Sequence, residues 1–269
     1  MNSKRFLIKL SYLGFRYHGV QKQDLHQTVQ ERIENCLRVK FTDLDFKIKF
    51  SSRTDAMVSS LESYVLLMFK GLEDQVIIQG NMLKDILGAL KKLPPDIQIK
   101  DVKEVGNSFT LLKSIGLKEY HYYFSHNISS PHIFAAPFMT ILAEKLDIEL
   151  MKQGAQLFSG THNFENYCYK PKSGTQFLRT VESCEIFRNE TFKGSFFPED
   201  SYCLNIKAQG FMRGQVRLIM GSLFRLGKKE LTFEDLAFSL KQTNPNFIKW
   251  LVPSPGLILQ STEINTKYS

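Results

Sequence analysis

The sequence predicts an α+β protein made of two ferredoxin-like (RNP-like) halves, residues 1–105 and 106–269. Their strands are expected to form a continuous, mostly antiparallel sheet, with helices on one face and a ligand cleft on the other. Three observations carry that expectation. The first part changes between strand-like and helix-like periodicity in the order strand, helix, strand, strand, helix, strand, which is the ferredoxin-like order. The second part repeats that order loosely, with longer insertions and no internal repeat strong enough to establish duplication. At 269 residues, 43% hydrophobic and 23% charged, the chain has the length and composition for one large domain or two smaller ones sharing a core.

Arg5 to Tyr12 is apolar and β-compatible, and it ends at a turn around Leu13-Gly14. Phe15 to Gln23 mixes aromatics, amides and cations around Gly19 with no clear period, so it reads as a loop able to offer stacking and phosphate-contacting groups. Thr28-Val29-Gln30-Glu31 has capping-box spacing, and Val29, Ile33, Cys36 and Leu37 then share one helical face. Phe46, Ile48 and Phe50 alternate as a strand, and Tyr64 to Phe69 follows as another. Asn81 caps a helix carrying Leu83, Ile86, Leu87 and Leu90 that stops at Pro94-Pro95, and Ile97 to Val105 returns as a strand.

In the second part, Glu119 to Ser125 is strongly β-prone, and Asp147 caps a helix from Ile148 to Phe158 closed by Gly160. Thr161 to Tyr167 reads as a polar, aromatic loop, followed by strands at Arg179 to Arg188 and Tyr202 to Gly210. Val216, Ile219, Leu223 and Leu226 mark a helix ending near Gly227, with Arg213, Arg217 and Arg225 as its cations. Thr232 starts a further short helix that Pro245 prevents from extending, and the tail from Val252 to Leu259 pairs a rigid turn with a last strand.

Composition narrows the function. With no run of about 18 apolar residues and no signal-like apolar segment at the N-terminus, the expected location is the cytoplasm. Cys36, Cys168, Cys184 and Cys203 lie far apart without the spacing or the histidine pairs a zinc site needs, so they read as free, mostly buried thiols. The net charge of +8 favours a polyanionic partner. Residues 1–105 carry 17 basic and 13 acidic side chains and residues 106–269 carry 18 and 14, so each part contributes equally and no detachable basic arm exists. A polyanion would therefore bind folded surface on both parts.

Ser51 to Val58 is a polar island between two strand-like segments, and it holds Arg53 and Asp55. In isolation an Arg-x-Asp loop describes a surface ion pair worth little. Its neighbours change that reading. Tyr12 to Gln23 resembles Y-x-G-x-x-F-x-G-W-Q-x-Q, and Arg53-Thr54-Asp55-Ala56 matches the start of R-T-D-A-G-V-H-A. Phe109 to Tyr123 resembles an F-H-A-R segment leading into R-Y-R-Y, and Gly160 to Phe164 resembles G-x-H-D-F. Phe211 to Leu223 resembles F-L-H-H-M-V-R-N-I-V-G-S-L, and Val252 to Leu259 resembles A-P-P-x-G-L-x-L. In this order, and covering nearly the whole chain, the segments resemble the TruA family of tRNA pseudouridine synthases.

The resemblance implies isomerisation of uridine to pseudouridine in RNA, in the family within the tRNA anticodon stem-loop, by a homodimer whose RNA crosses both subunits, with no metal or organic cofactor. Asp55 would be the reacting carboxylate, as nucleophile or as base, kept ionised by Arg53 or Arg217. Tyr120 would stack on the flipped base and Arg217 would pair with Asp55. Arg53, Tyr17, Gln21, Gln23, Lys118 and Arg213 would contact RNA. Several family positions differ. Met57 to Ser60 replace Gly-Val-His-Ala, Val20 replaces tryptophan, Thr110 and Leu112 replace the F-H-A-R histidine and arginine, Lys118 and Glu119 replace two arginines, and Arg213 and Gly214 replace the paired histidines. These changes fall on residues that hold RNA, which points to a changed RNA substrate. The competing reading is a non-catalytic RNA-binding or RNA-remodelling protein on the same scaffold.

Overall fold

In the computed structural model, residues 4–70, 81–242, 247 and 249–265 are described. Among them are ten β-strands and six α-helices, an α+β composition. Two compact units are present: Met1–Gly116 with Leu259–Ser269, and Leu117–Ile258.

The first unit is built on β1 (Arg5–Tyr12), whose apolar residues are buried on both sides of the strand. It pairs antiparallel with β3 (Ser59–Phe69), Leu7 opposite Leu66, and with β4 (Ile97–Val105), Arg5 opposite Val105. The far edge of β3 is shared. β2 (Phe46–Phe50) pairs with residues 65–69, and the part of β10 (Leu257–Ile264) from Leu259 onward runs beside residues 60–62, where the Ser60 hydroxyl donates to Leu259 O at 3.4 Å. Helices α1 (Val29–Lys40) and α2 (Met82–Leu90) cover one face, packing Val29, Ile33, Leu37, Ile86 and Leu90 on Phe6, Ile8, Leu10, Val65 and Leu67. Both start as the sequence predicts, with Thr28 Oγ1 accepting from Glu31 N and Asn81 Oδ1 from Lys84 N. The second face is not left uniformly free. Leu7 and Leu66 are apolar there too, and Phe109 and Leu111, at the start of the one-turn helix α3 (Leu111–Ser114), cover them.

In the second unit β5 (Ile115–Ser125) contributes Leu117 onward. Its Tyr120 pairs antiparallel with Ile206 of β9 (Ser201–Ala208), which in turn pairs with β8 (Leu178–Arg188). The two-residue β6 (Thr140–Ile141) runs parallel to the end of β5. The loop expected at Thr161 to Tyr167 is corrected. Gly160–Asn163 forms strand β7 on the open edge of β8, and a 3-10 turn follows at Glu165–Tyr167. Polar residues take the strand because a ladder partner is available, and Thr161 and Thr180 share a cross-strand hydroxyl bond of 2.8 Å. Helix α4 (Ile148–Gln156) is capped by Asp147, and α5 (Gln215–Gly227) is buried on most of its surface. Phe224 of α5 packs its ring against Tyr122, Phe124 and Trp250. Helix α6 (Phe233–Ser239) carries the full capping box of Thr232 and Asp235, while Pro245 lies outside the described residues.

The opposite side of β5 bears a polar chain. Glu119 accepts from Asn205 Nδ2 at 2.7 Å and faces His121 Nε2 at 3.0 Å, and His121 Nδ1 lies 3.0 Å from the Tyr123 hydroxyl. Burial pushes the Glu119 carboxyl up, but His121, Asn205 and Lys207 outweigh burial and hold it below the ordinary glutamate value. A depressed carboxylate contributes stability above its unfolded value of about 4.3 and loses it as pH falls through the folded one. Glu119→Gln is therefore expected to flatten the acid side of the thermal-stability profile below about pH 4.3. A melting-temperature series from pH 3 to pH 7 checks this, and an unchanged acid slope would contradict it.

Candidate active site

Asp55 sits half-buried in the eight-residue link between β2 and β3, and the backbone on both sides of it is pinned. The Tyr12 and Thr54 hydroxyls are 2.9 Å apart, Val20 N donates to Thr54 O at 3.4 Å, and Met57 N donates to Tyr17 O at 2.9 Å. The opposing segment, Leu13 to Val20, has glycine where side chains would collide. A Cβ on Gly14 would lie 2.0 Å from Val58 O, and one on Gly19, at φ 91°, would lie 2.8 Å from Thr54 O. This segment is thus a cradle for the aspartate loop. The sequence reading missed Tyr12, Gly14 and Gly19 in that role, although the two glycines in the Tyr12 to Gly19 pattern were the signal.

Tyr17 was expected to contact RNA, and the structure corrects this. Its ring is buried at 1% exposure in the core of the first unit, and its hydroxyl donates to Asp96 at 2.9 Å, because an irregular segment against a sheet buries its largest apolar ring. Arg53 is exposed and forms no hydrogen bond or ion pair among the described residues. Gln21 is exposed, while Gln23 donates to His18 O at 2.8 Å.

Met57 occupies the position of the family glycine, and it adopts φ 65°, the left-handed conformation that glycine takes without penalty. For a side-chain-bearing residue this costs about 1–2 kcal/mol. Because Met57 is 38% exposed and loses little packing, Met57→Gly is expected to raise stability by up to about 1 kcal/mol, the strain relieved being partly offset by unfolded-chain entropy. Denaturant unfolding checks this, and a destabilised variant would show that the methionine side chain contributes more than its backbone strain costs.

In the second unit Tyr120 is 8% exposed, its ring set edge-on to Phe211 with centroids 5.3 Å apart. It leaves β5 on the same side as Tyr122 and Phe124, which face α5. Arg217, third residue of α5, is half-buried and its Nε donates to Val252 O at 2.7 Å. The Tyr122 hydroxyl donates to Pro253 O, and Tyr123 N donates to Gly256 O. The tail turn is thereby tied to both β5 and α5, a role for Tyr122 and Gly256 that the sequence reading did not assign. Lys118 is half-buried on β5, and Arg213 is exposed with its guanidinium over the Tyr169 ring.

The four cysteines are free, and burial pushes each thiol up, Cys203 to about 12, so none is an activated nucleophile at neutral pH. Among the described residues no group of His, Cys, Asp and Glu could hold a metal, and no helix is long and apolar enough to cross a membrane.

Residues 155–262 match the family model described as tRNA pseudouridine synthase. A protein of Dictyoglomus thermophilum named tRNA pseudouridine synthase A is 31% identical over 252 residues, covering 94% of this chain and 96% of that protein. Proteins of the same name from Thermodesulfovibrio yellowstonii and Clostridium kluyveri are 29% and 28% identical, with coverage of 93% and 96% of this chain and 96% and 98% of theirs. The chain belongs to the tRNA pseudouridine synthase A (TruA) family.

Proposed function

We propose that this protein isomerises uridine to pseudouridine in tRNA, with Asp55 as the reacting carboxylate. The observation that carries the reading is end-to-end similarity to synthases of that name, in a chain whose Asp55 lies in a pinned loop. The reaction breaks the N1–C1′ bond, turns the uracil and joins C5 to C1′, with a proton leaving C5 and one gained at N1. Composition is unchanged and no energy carrier is needed. Asp55 serves either as nucleophile at C1′ or as base toward the 2′ proton. Tyr120 stacks on the flipped base, and Arg217 supplies the positive charge for the carboxylate. Arg53, Gln21, Gln23, Lys118 and Arg213 contact the RNA, and Tyr17 is assigned to the cradle.

The left-handed backbone at Met57 supports the catalytic reading over a binding-only scaffold, since a loop released from its task has no reason to keep a strained glycine-type conformation. The β4-β1-β3-β2 neighbour order of the first unit supports its reading as ferredoxin-like. A cytoplasmic homodimer acting on an altered tRNA site completes the proposal. Chemical mapping of pseudouridine in unmodified tRNA transcripts incubated with the protein tests it. New pseudouridine at a defined uridine is expected, and none in any transcript would overturn it.

A further inference from the structure

Tyr169 follows the 3-10 turn after β7, and two cations lie against its ring: Lys170 Nζ and Arg213 Cζ are each 5.4 Å from the centroid. The backbone holds this arrangement, because Tyr169 N donates to Arg213 O at 2.9 Å. Gly214 follows at φ 69°, where a Cβ would press within 3.0 Å of the Tyr169 Cβ. More positive charge gathers on the same segment. Lys249 Nζ donates to the carbonyls of Glu165 and Cys168, at 3.2 and 3.3 Å. Burial raises the Cys168 thiol, the charges of Lys249, Arg179 and Arg213 oppose it and the Glu165 carboxylate adds to it, so three cations and one carboxylate lie close to this turn. Lys172 opens the tight turn that Thr175 closes.

Lys145, Arg188 and Lys241 of this unit also lack a carboxylate partner among the described residues, so what sets the cations around Tyr169 apart is that they gather at one turn while most other cations of the unit are paired. In the same unit Lys152, Lys193, Lys207, Arg225, Lys228 and Lys229 each pair with a carboxylate. Lys170, Lys172, Arg179, Arg213 and Lys249 have no carboxylate partner among the described residues. Positive charges gathered in excess over the single Glu165 carboxylate repel one another, and a phosphodiester backbone removes that cost while releasing its own condensed ions. The Tyr169 ring lowers the cost of holding two of them side by side through cation–π attraction.

We propose that Tyr169, Lys170, Lys172, Arg179, Arg213 and Lys249 form a phosphate-binding surface that fixes the tRNA backbone on the second unit, with Tyr169 as the positioning residue for its cations. The proposal rests on the reading that tRNA is the substrate. It adds a segment, Tyr169 to Lys172, that the sequence motifs did not mark.

The test is filter binding of an unmodified tRNA transcript across a salt series, with single-turnover kinetics in parallel. Lys170→Ala with Arg213→Ala is expected to weaken binding about tenfold near physiological salt and to lower the salt slope by about 1.5, two phosphate contacts being lost. Tyr169→Phe should bind like the parent and Tyr169→Ala should not, since phenylalanine keeps the ring face. Lys152→Ala with Lys193→Ala removes the same charge from paired sites and should leave the slope unchanged. An unchanged slope in the first double variant, an equal loss in the second, or competition by polyglutamate as effective as by tRNA would overturn the proposal. If the parent forms no pseudouridine yet the first double variant loses affinity, the activity reading falls and this surface stands. If pseudouridine forms and the slope does not move, the surface falls alone.

Discussion

Asp55→Asn is expected to lower the rate of pseudouridine formation in a tRNA transcript by at least about 10²-fold while leaving the fold and RNA affinity in place. Contacts through the Thr54 hydroxyl and carbonyl and the Met57 amide pin its loop without involving the Asp55 carboxylate, and they persist in the variant. Asparagine keeps the shape and removes the charge. The size of the residual rate also separates the two chemical roles. A general base contributes about 10²–10⁴-fold, so its loss leaves slow but measurable turnover. Loss of a nucleophile closes the covalent route, and no turnover should remain above background. A variant within tenfold of the parent would remove Asp55 from the chemistry and leave the binding-only reading in its place.

Sequence periodicity located most of the framework because most elements bury one face. Arg5–Tyr12, Phe46–Phe50 and Ile97–Val105 form the strands expected, and helix starts at Thr28, Asn81, Asp147 and Thr232 follow from side chains that satisfy amides within three residues. The misses share a different cause. β3 begins at Ser59, five residues before the expected strand, because Ser59, Ser60 and Ser63 are buried by hydrogen-bond partners distant in sequence, Gly14, Leu259 and Ser51. A polar residue paired across the fold carries no local signature of burial. Lys40 ends α1 three residues beyond the last periodic position, since Arg38, Val39 and Lys40 face outward and add no pattern.

At the site, the family resemblance named Asp55, Tyr120 and Arg217, but motifs could not distinguish ligand contacts from support. Tyr17 and Arg53 looked alike in the sequence as polar or aromatic loop residues. One is a core ring bonded to Asp96 and the other an exposed cation. Burial decides between those roles, and burial of an irregular segment depends on what packs over it.

That dependence makes Gly14→Ala the second large effect, and its consequence is for activity more than for stability. The added methyl would meet Val58 O at 2.0 Å and Val58 C at 2.4 Å, both backbone atoms that no side-chain rotation can move aside. Val58 is buried at 2% exposure and is hydrogen-bonded to Asp55 O, while Gly14 N donates to Ser59 Oγ at 3.0 Å. Relief therefore requires the cradle or the aspartate loop to shift, and either movement carries Asp55 with it or away from its supports. Overpacking of this kind costs about 1–3 kcal/mol, whereas a displacement near 1 Å at a reacting group costs about 10²-fold in rate. Assayed well below its melting temperature, the variant should be folded and at least about 10²-fold slower. Gly88→Ala is the control, since nothing lies within 4 Å of its added methyl on the exposed side of α2. Alanine there should raise stability by about 1 kcal/mol through helix propensity, with activity unchanged. A fully active Gly14→Ala protein would mean that the cradle yields without disturbing Asp55, and the positioning role given to Gly14 would fall with it.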